Sequence, residues 1–189
     1  MNDFLPKGYT APETQSHFME FEEGQNYFRA LSPAIVGFEW WVENGEGVKP
    51  NRVRTLEEVP EEFRAVDHRQ GARHFWAFAV YNYQQEAIQV LVLRQQTIMR
   101  AIEAFSKNPK WGNPQGYDLV VEKTKTGRGV WDVEYNVIPE PKAVLDPGIA
   151  ELAGQVSVRL EALFEGDDPF ATEERPTAGT KAGRARRQP

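Results

Sequence analysis

The chain has 189 residues, 40% of them hydrophobic and 26% charged, which suits one globular domain with additional tail. Its 28 acidic residues against 22 Lys and Arg give a net charge of −6. That excludes a binder held to nucleic acid by overall positive charge and leaves room for a local basic groove. Cysteine is absent, which excludes disulfides, thiol nucleophiles, zinc ribbons and iron–sulfur clusters and fits a reducing compartment.

Residues 1–16 mix Pro6, Gly8 and Pro12 with polar residues and no periodicity, and read as a loose N-terminal arm. The first twenty residues hold no apolar run of signal-peptide length. The longest apolar runs, at 75–80 and 88–93, are too short to span a bilayer. A soluble cytoplasmic protein with no membrane partner is expected.

Residues 18–31 read as extended chain, and residues 35–43 as a second strand. There Val36, Phe38, Trp40 and Val42 point one way, and Gly37, Glu39 and Trp41 the other. Asn44-Gly45-Glu46-Gly47 is a turn signal. Residues 52–71 are mostly charged and read as an excursion with a helical turn at 59–66. The strongest strand signal follows, in β-rich runs at 74–83 and 87–94 joined as a hairpin.

Ile98, Ile102 and Phe105 share a stripe, predicting a helix over 97–106 that stops before Pro109. Strands at 117–124 and 130–138 flank Thr126-Gly127-Arg128-Gly129, and Pro139 and Pro141 end the sheet. Ile149, Leu152, Val156, Leu160 and Leu163 keep helical spacing, so 146–164 reads as a C-terminal helix. Beyond Glu165 there is no Ile, Leu, Val, Met, Trp or Tyr, and a disordered tail is expected. The end is split by charge: 161–174 holds acids and no base, whereas 175–189 holds Arg175, Lys181, Arg184, Arg186 and Arg187 and no acid.

The motifs of common enzymes are missing. Gly179-Thr180-Lys181 lacks the strand, glycine and helix of a P-loop, and no Gly-x-Ser-x-Gly elbow occurs. His17, His68 and His74 never stand four apart, which excludes the zinc-protease arrangement. Asp118, Glu122 and Asp132 read as solvated edge carboxylates rather than ion ligands, and Asp67-His68 as loop polarity. No cofactor, metal or catalytic residue is expected.

What stands out is the interleaving of aromatic and basic residues on strands. Unpaired bases stack on planar side chains while cations follow the phosphates, and a strand presents alternate side chains to one face. On 74–83 one face reads His74, Trp76, Phe78, Val80, Asn82 and looks like core. The other reads Phe75, Ala77, Ala79, Tyr81, Tyr83: either rings beside shallow ground where a base can lie, or a face under a second layer. Trp41 is a second platform or a rim residue of the core. Lys49, Arg52 and Arg54 follow the second strand, Arg73 precedes the hairpin, and Lys123, Lys125 and Arg128 crowd the last loop. Trp111 is either a loop platform or, the preferred reading, a plug over the barrel end.

Strands, then a helix, then two closing strands is the order of an oligonucleotide-binding barrel, which places its helix between the third and fourth strands. The fold expected is therefore mainly β, an OB-fold-like barrel of five to six strands with one helix between strands and a C-terminal helix. The expected organisation is an arm over 1–16, an OB-like domain over 17–141, a helix within 142–164 and a disordered tail over 165–189. Residues 18–31, the run His74-Phe75-Trp76-Ala77-Phe78-Ala79-Val80-Tyr81-Asn82-Tyr83, the run from Trp111-Gly112-Asn113-Pro114 to Tyr117-Asp118, and Gly127-Arg128-Gly129 with Tyr135-Asn136-Val137-Ile138-Pro139 carry a resemblance. Over roughly 18–141 the sequence resembles phage-encoded single-stranded DNA-binding proteins of the replication machinery.

That resemblance implies a non-catalytic protein that coats unwound DNA, with replication or recombination proteins as partners through its tail. Asp167, Asp168 and Phe170 are similar to the acidic tip that recruits such partners, although residues 171–189 follow here and end in bases. Some relatives carry a structural zinc, which a chain without cysteine cannot hold in that way. A protein-interaction module whose aromatics are all core, and a binder of duplex DNA or RNA anchored by the basic end, are the alternatives.

Overall fold

The computed structural model describes residues 16–44, 47–64, 71–129 and 132–170. The arm over 1–15, Gly45-Glu46, Asp67-His68 and everything after Phe170 lie outside the described residues. Eight strands form one mixed sheet: β1 (Phe18–Met19), β2 (Gly24–Ala30), β3 (Ile35–Asn44), β4 (Gly47–Val53), β5 (Arg73–Asn82), β6 (Ala87–Leu93), β7 (Asp118–Lys125) and β8 (Val133–Pro139). Among the described residues four helices accompany them: α1 (Glu61–Arg64), α2 (Gln96–Lys107), α3 (Pro147–Gln155) and α4 (Ala162–Glu165).

The sheet runs β1-β6-β5-β2-β7-β8, with β3 joining β5 and β4 joining β3. Every pairing is antiparallel except β1 beside β6. β5 organises it. One edge of β5 takes all of β6; its other edge pairs Arg73–Ala77 with β3 and Val80–Asn82 with β2. Consecutive strands β2 and β3 thus share one edge and part company at residues 31–34. There the Leu31 amide donates to the Ala79 carbonyl at 2.9 Å, and the Ala79 amide to Ser32 Oγ at 3.0 Å. Two wings result, β3-β4 and β2-β7-β8.

The chain is mainly β as expected, but the expected barrel of five to six strands is corrected to an open sheet of eight, because β1 and β8 end it without meeting. Part of the 52–71 excursion is a 3-10 turn at Leu56–Glu58 followed by α1. Residues 47–53, polar and interrupted by Pro50, form edge strand β4, where a proline's missing N–H is tolerated.

Both faces of β5 are covered, which is why residues 75–80 read as a continuous apolar run. On one face Phe78 and Val80 pack with Phe28, Leu91, Leu93, Leu119 and the α2 stripe Ile98, Met99 and Ile102. On the other, Phe75, Ala77 and Val90 are covered by Leu163, with Val158, Leu160, Phe164 and Phe170 packed around them. The C-terminal segment is therefore a second layer. It is not one helix over 146–164. α3 starts with Asp146 accepting from the Gly148 and Ile149 amides, and stops at Gln155. Gly154, Ser157 and the β-branched Val156 and Val158 favour extended chain there. Residues 165–170, expected to be disordered, are held: Gly166 closes α4 at φ +80, and the Arg159 amide donates to the Pro169 carbonyl at 2.8 Å.

Candidate nucleic-acid interface

The pairing Glu39↔Arg73, Glu39↔Arg52 and Trp41↔Pro50 puts these side chains on one face of the β3-β4 wing. It is the face that carries Phe75, continued outward past the edge of the C-terminal layer. Trp41 is 36% exposed, and the guanidinium carbons of Arg73 and Arg94 each lie 5.7 Å from its ring centroid. Below them Glu39 is fully buried. Its carboxylate accepts from Arg52 Nε at 3.0 Å and from Arg94, whose Nη2 also donates to it at 3.3 Å.

Glu39 thus holds together a largely buried guanidinium, Arg52, and a partly exposed one, Arg94. Arg52 lies 5.5 Å from the Phe75 ring. Burial pulls the Arg52 guanidinium below its ordinary pKa, and the Glu39 charge and hydrogen bond oppose the shift. Beside the cluster lies a groove of about 500 Å³. It is lined by Lys49, Pro50, Arg52, Val92 and Arg94 together with Phe18, Glu20, Leu163, Asp167 and Asp168. The groove combines cations with apolar side chains, as a phosphodiester with a stacked base requires, and has three carboxylates in the same lining.

The remaining expected residues are scattered. Phe75 is fully buried against Phe164 at 5.9 Å, so the second-layer alternative holds and Phe75 offers no platform. Arg54 bridges Glu161 and sits 4.5 Å over Phe164, holding down the C-terminal layer. Trp111 is packed on the core between Phe105 at 6.4 Å and Tyr117 at 5.5 Å, and the open sheet has no barrel end for it to plug. Lys123 donates to the Phe21 carbonyl at 2.7 Å, while Lys125 and Arg128 are exposed at the β7–β8 end.

Tyr81 and Tyr83 meet edge to face at 5.0 Å at the end of β5 that pairs with β2, where the Tyr83 hydroxyl donates to Asp118 Oδ1 at 3.0 Å. Their expected basic neighbours are not beside them. Asp168 accepts from His17 at 2.9 Å and from the Phe170 amide at 2.9 Å, with Phe170 4.5 Å from the His17 ring. Asp118 is engaged by Arg29 at 2.8 Å, and the Asp132 carboxylate accepts from the Gly129 amide at 2.8 Å. Among the described residues no group of three or more His, Asp or Glu is arranged to hold a metal ion. Nor is any helix among them long and apolar enough to cross a membrane.

Glu39 and Arg94 are the residues that sequence reasoning missed. A single acid inside an otherwise apolar strand, on the face of Trp41, was a usable signal. Arg94 had a weaker one, a cation closing the apolar run of β6. No protein-family model matches the chain, and no curated protein shows significant sequence similarity to it.

Proposed function

We propose that this chain is a non-catalytic single-stranded DNA-binding protein, engaging the strand without reading base edges. The observation that carries the reading is the partly exposed Trp41 indole beside Arg73 and Arg94, with Arg94 also lining a groove that holds Lys49 and Arg52. A base stacked on Trp41 leaves its phosphates within reach of these cations, and such stacking is worth about 1–3 kcal/mol per base. The bent β2–β3 path along β5 and the placing of α2 between β6 and β7 support an OB-like ancestry for the open sheet. Together with the resemblance to phage replication proteins, this points to DNA replication or recombination.

Titrating the protein with dT oligomers while following tryptophan emission tests the reading. Quenching at low salt is expected, with affinity falling linearly in log salt by about 0.7 per phosphate neutralised. Trp41→Phe should keep binding and lose most of the quench. No response to dT oligomers at low salt, or a preference for duplex, overturns the proposal.

A further inference from the structure

The β2-β7-β8 wing has the opposite chemistry on the same face of the sheet. Register places Tyr27, Arg29, Asp118, Val120, Glu122, Asn136 and Ile138 together there. Tyr27, Tyr83 and Ile138 are more than a third exposed, while Arg29 is buried and spent on Asp118, the Gln115 carbonyl at 3.0 Å and the Ala143 carbonyl. In this wing an open depression of about 460 Å³ is lined by Tyr27, Tyr83, Asp118, Glu140 and Pro141. Asp118 Oδ1 takes both Arg29 and Tyr83, which leaves Oδ2 without a hydrogen bond among the described residues. The Glu140 carboxylate makes no ion pair among them either.

Two tyrosine rings and a proline around the Glu140 carboxylate and the remaining oxygen of the Arg29-paired Asp118 suit a guanidinium better than a phosphate. The ring faces attract the cation, and a carboxylate accepts its paired N–H groups. The chain itself supplies such a ligand, because residues 175–189 carry Arg175, Lys181, Arg184, Arg186 and Arg187 and no acid. Reach is ample. Phe170 packs with Phe18 and Val90, about 20 Å from Tyr83 by strand spacing and rise. The segment 171–189, extended, spans about 60 Å.

We propose that the Tyr27–Tyr83–Asp118–Glu140 depression is a binding site for arginine side chains, occupied by the chain's own basic segment 175–189. Tethering places that segment at an effective concentration in the millimolar range, so individually weak arginine contacts suffice. The site is independent of the DNA-binding reading, and its test uses no nucleic acid.

The full chain has no cysteine, so Gln188→Cys offers a unique attachment point for a nitroxide spin label. In the labelled full-length protein the amide signals of Tyr27, Tyr83, Ile138 and Glu140 should broaden beyond detection while those around Trp41 persist. Arg184→Gln with Arg186→Gln and Arg187→Gln should restore them. Glu140→Gln, which removes a carboxylate without touching the Arg29–Asp118 pair, should restore them in part. Broadening around Trp41 instead, broadening nowhere, or broadening seen only when spin-labelled chains are mixed with isotope-labelled chains lacking the spin label would each overturn the assignment to the chain's own segment.

Discussion

Glu39 and Arg94 stand 55 residues apart in the chain and form an ion pair in which the carboxylate has no exposure to solvent. The same guanidinium lies 5.7 Å from the Trp41 ring, so a buried charge fixes the surroundings of an exposed aromatic. A carboxylate buried with two guanidiniums is costly to leave half-made. Glu39→Ala would strand Arg52 and Arg94, and a loss of about 3–5 kcal/mol in urea unfolding is expected.

Trp41→Ala separates binding from stability. The ring is partly exposed and sits outside both apolar clusters, so the melting temperature should scarcely move. Affinity for dT oligomers should fall by about 1–3 kcal/mol, the worth of one stacked base. Equal affinity of the variant and the parent in a filter-binding assay would remove Trp41 from the interface.

Gly37 lies where the sheet and its C-terminal layer come close. A Cβ there would press on the Val53 carbonyl and lie 2.8 Å from the Phe164 ring and 3.0 Å from the Phe75 ring. The first neighbour is backbone and the Phe75 ring is fully buried, so neither yields cheaply, although the half-buried Phe164 ring has more room to move. Gly37→Ala should cost about 1–3 kcal/mol by overpacking, read as a lower urea midpoint with an unchanged slope.

How much of this was legible in the sequence depended on whether the signal was local. The hairpin at 74–83 and 87–94 and the α2 stripe were legible because period-two and helical patterns sit within one element. β4 was hidden, since Lys49, Pro50 and Asn51 suit an edge strand and a loop equally well. The apolar spacing from Ile149 to Leu163 matched a helix, yet Val158 and Leu160 reach the cluster around Phe75 from non-helical chain and a turn. Alternation along β5 identified Phe75 and Tyr81 as sharing a face. Only the tertiary fold decides that the first is covered by Phe164 and the second stands beside Tyr83. The Glu39–Arg94 pair depends on the joint register of β3, β5 and β6, which no local pattern encodes.

Alkaline titration should report the Tyr83–Asp118 contact. The Tyr83 phenol is pushed up to about 12, by burial first and then by the hydrogen bond to Asp118 and its charge. A folded value above the ordinary 10 means that the neutral phenol favours the folded state. Its contribution is whole below pH 10 and is lost as pH rises from there through about 12. Tyr117 is also raised, by burial alone. In an ultraviolet titration of phenolate, Asp118→Asn should bring one late-ionising tyrosine back toward 10 and leave the other in place. Two unmoved late tyrosines would show that Asp118 has no hold on Tyr83.

Asp167 and Asp168, with Glu20, line the same groove as Lys49, Arg52 and Arg94, so a bound phosphate must contend with carboxylates as well as cations. The two aspartates differ in what holds them. The Phe170 amide, and then His17, keep the Asp168 carboxyl below its ordinary range. A depressed carboxyl favours the folded arrangement above its unfolded pKa, and that contribution is lost as pH falls through the folded value. Substituting Asp168 therefore disturbs the 166–170 turn as well as the groove. Asp167 makes no side-chain ion pair among the described residues, and its amide donates to the Ala162 carbonyl through backbone alone. Asp167→Asn is the cleaner variant: it removes one charge and leaves the turn in place. It should tighten dT-oligomer binding several-fold at low salt, because repulsion across an open groove is only partly screened there. Near 1 M salt, where the screening length is about 3 Å, the variant and the parent should converge. Unchanged or weaker binding by Asp167→Asn at low salt would mean that the acidic rim does not oppose the strand.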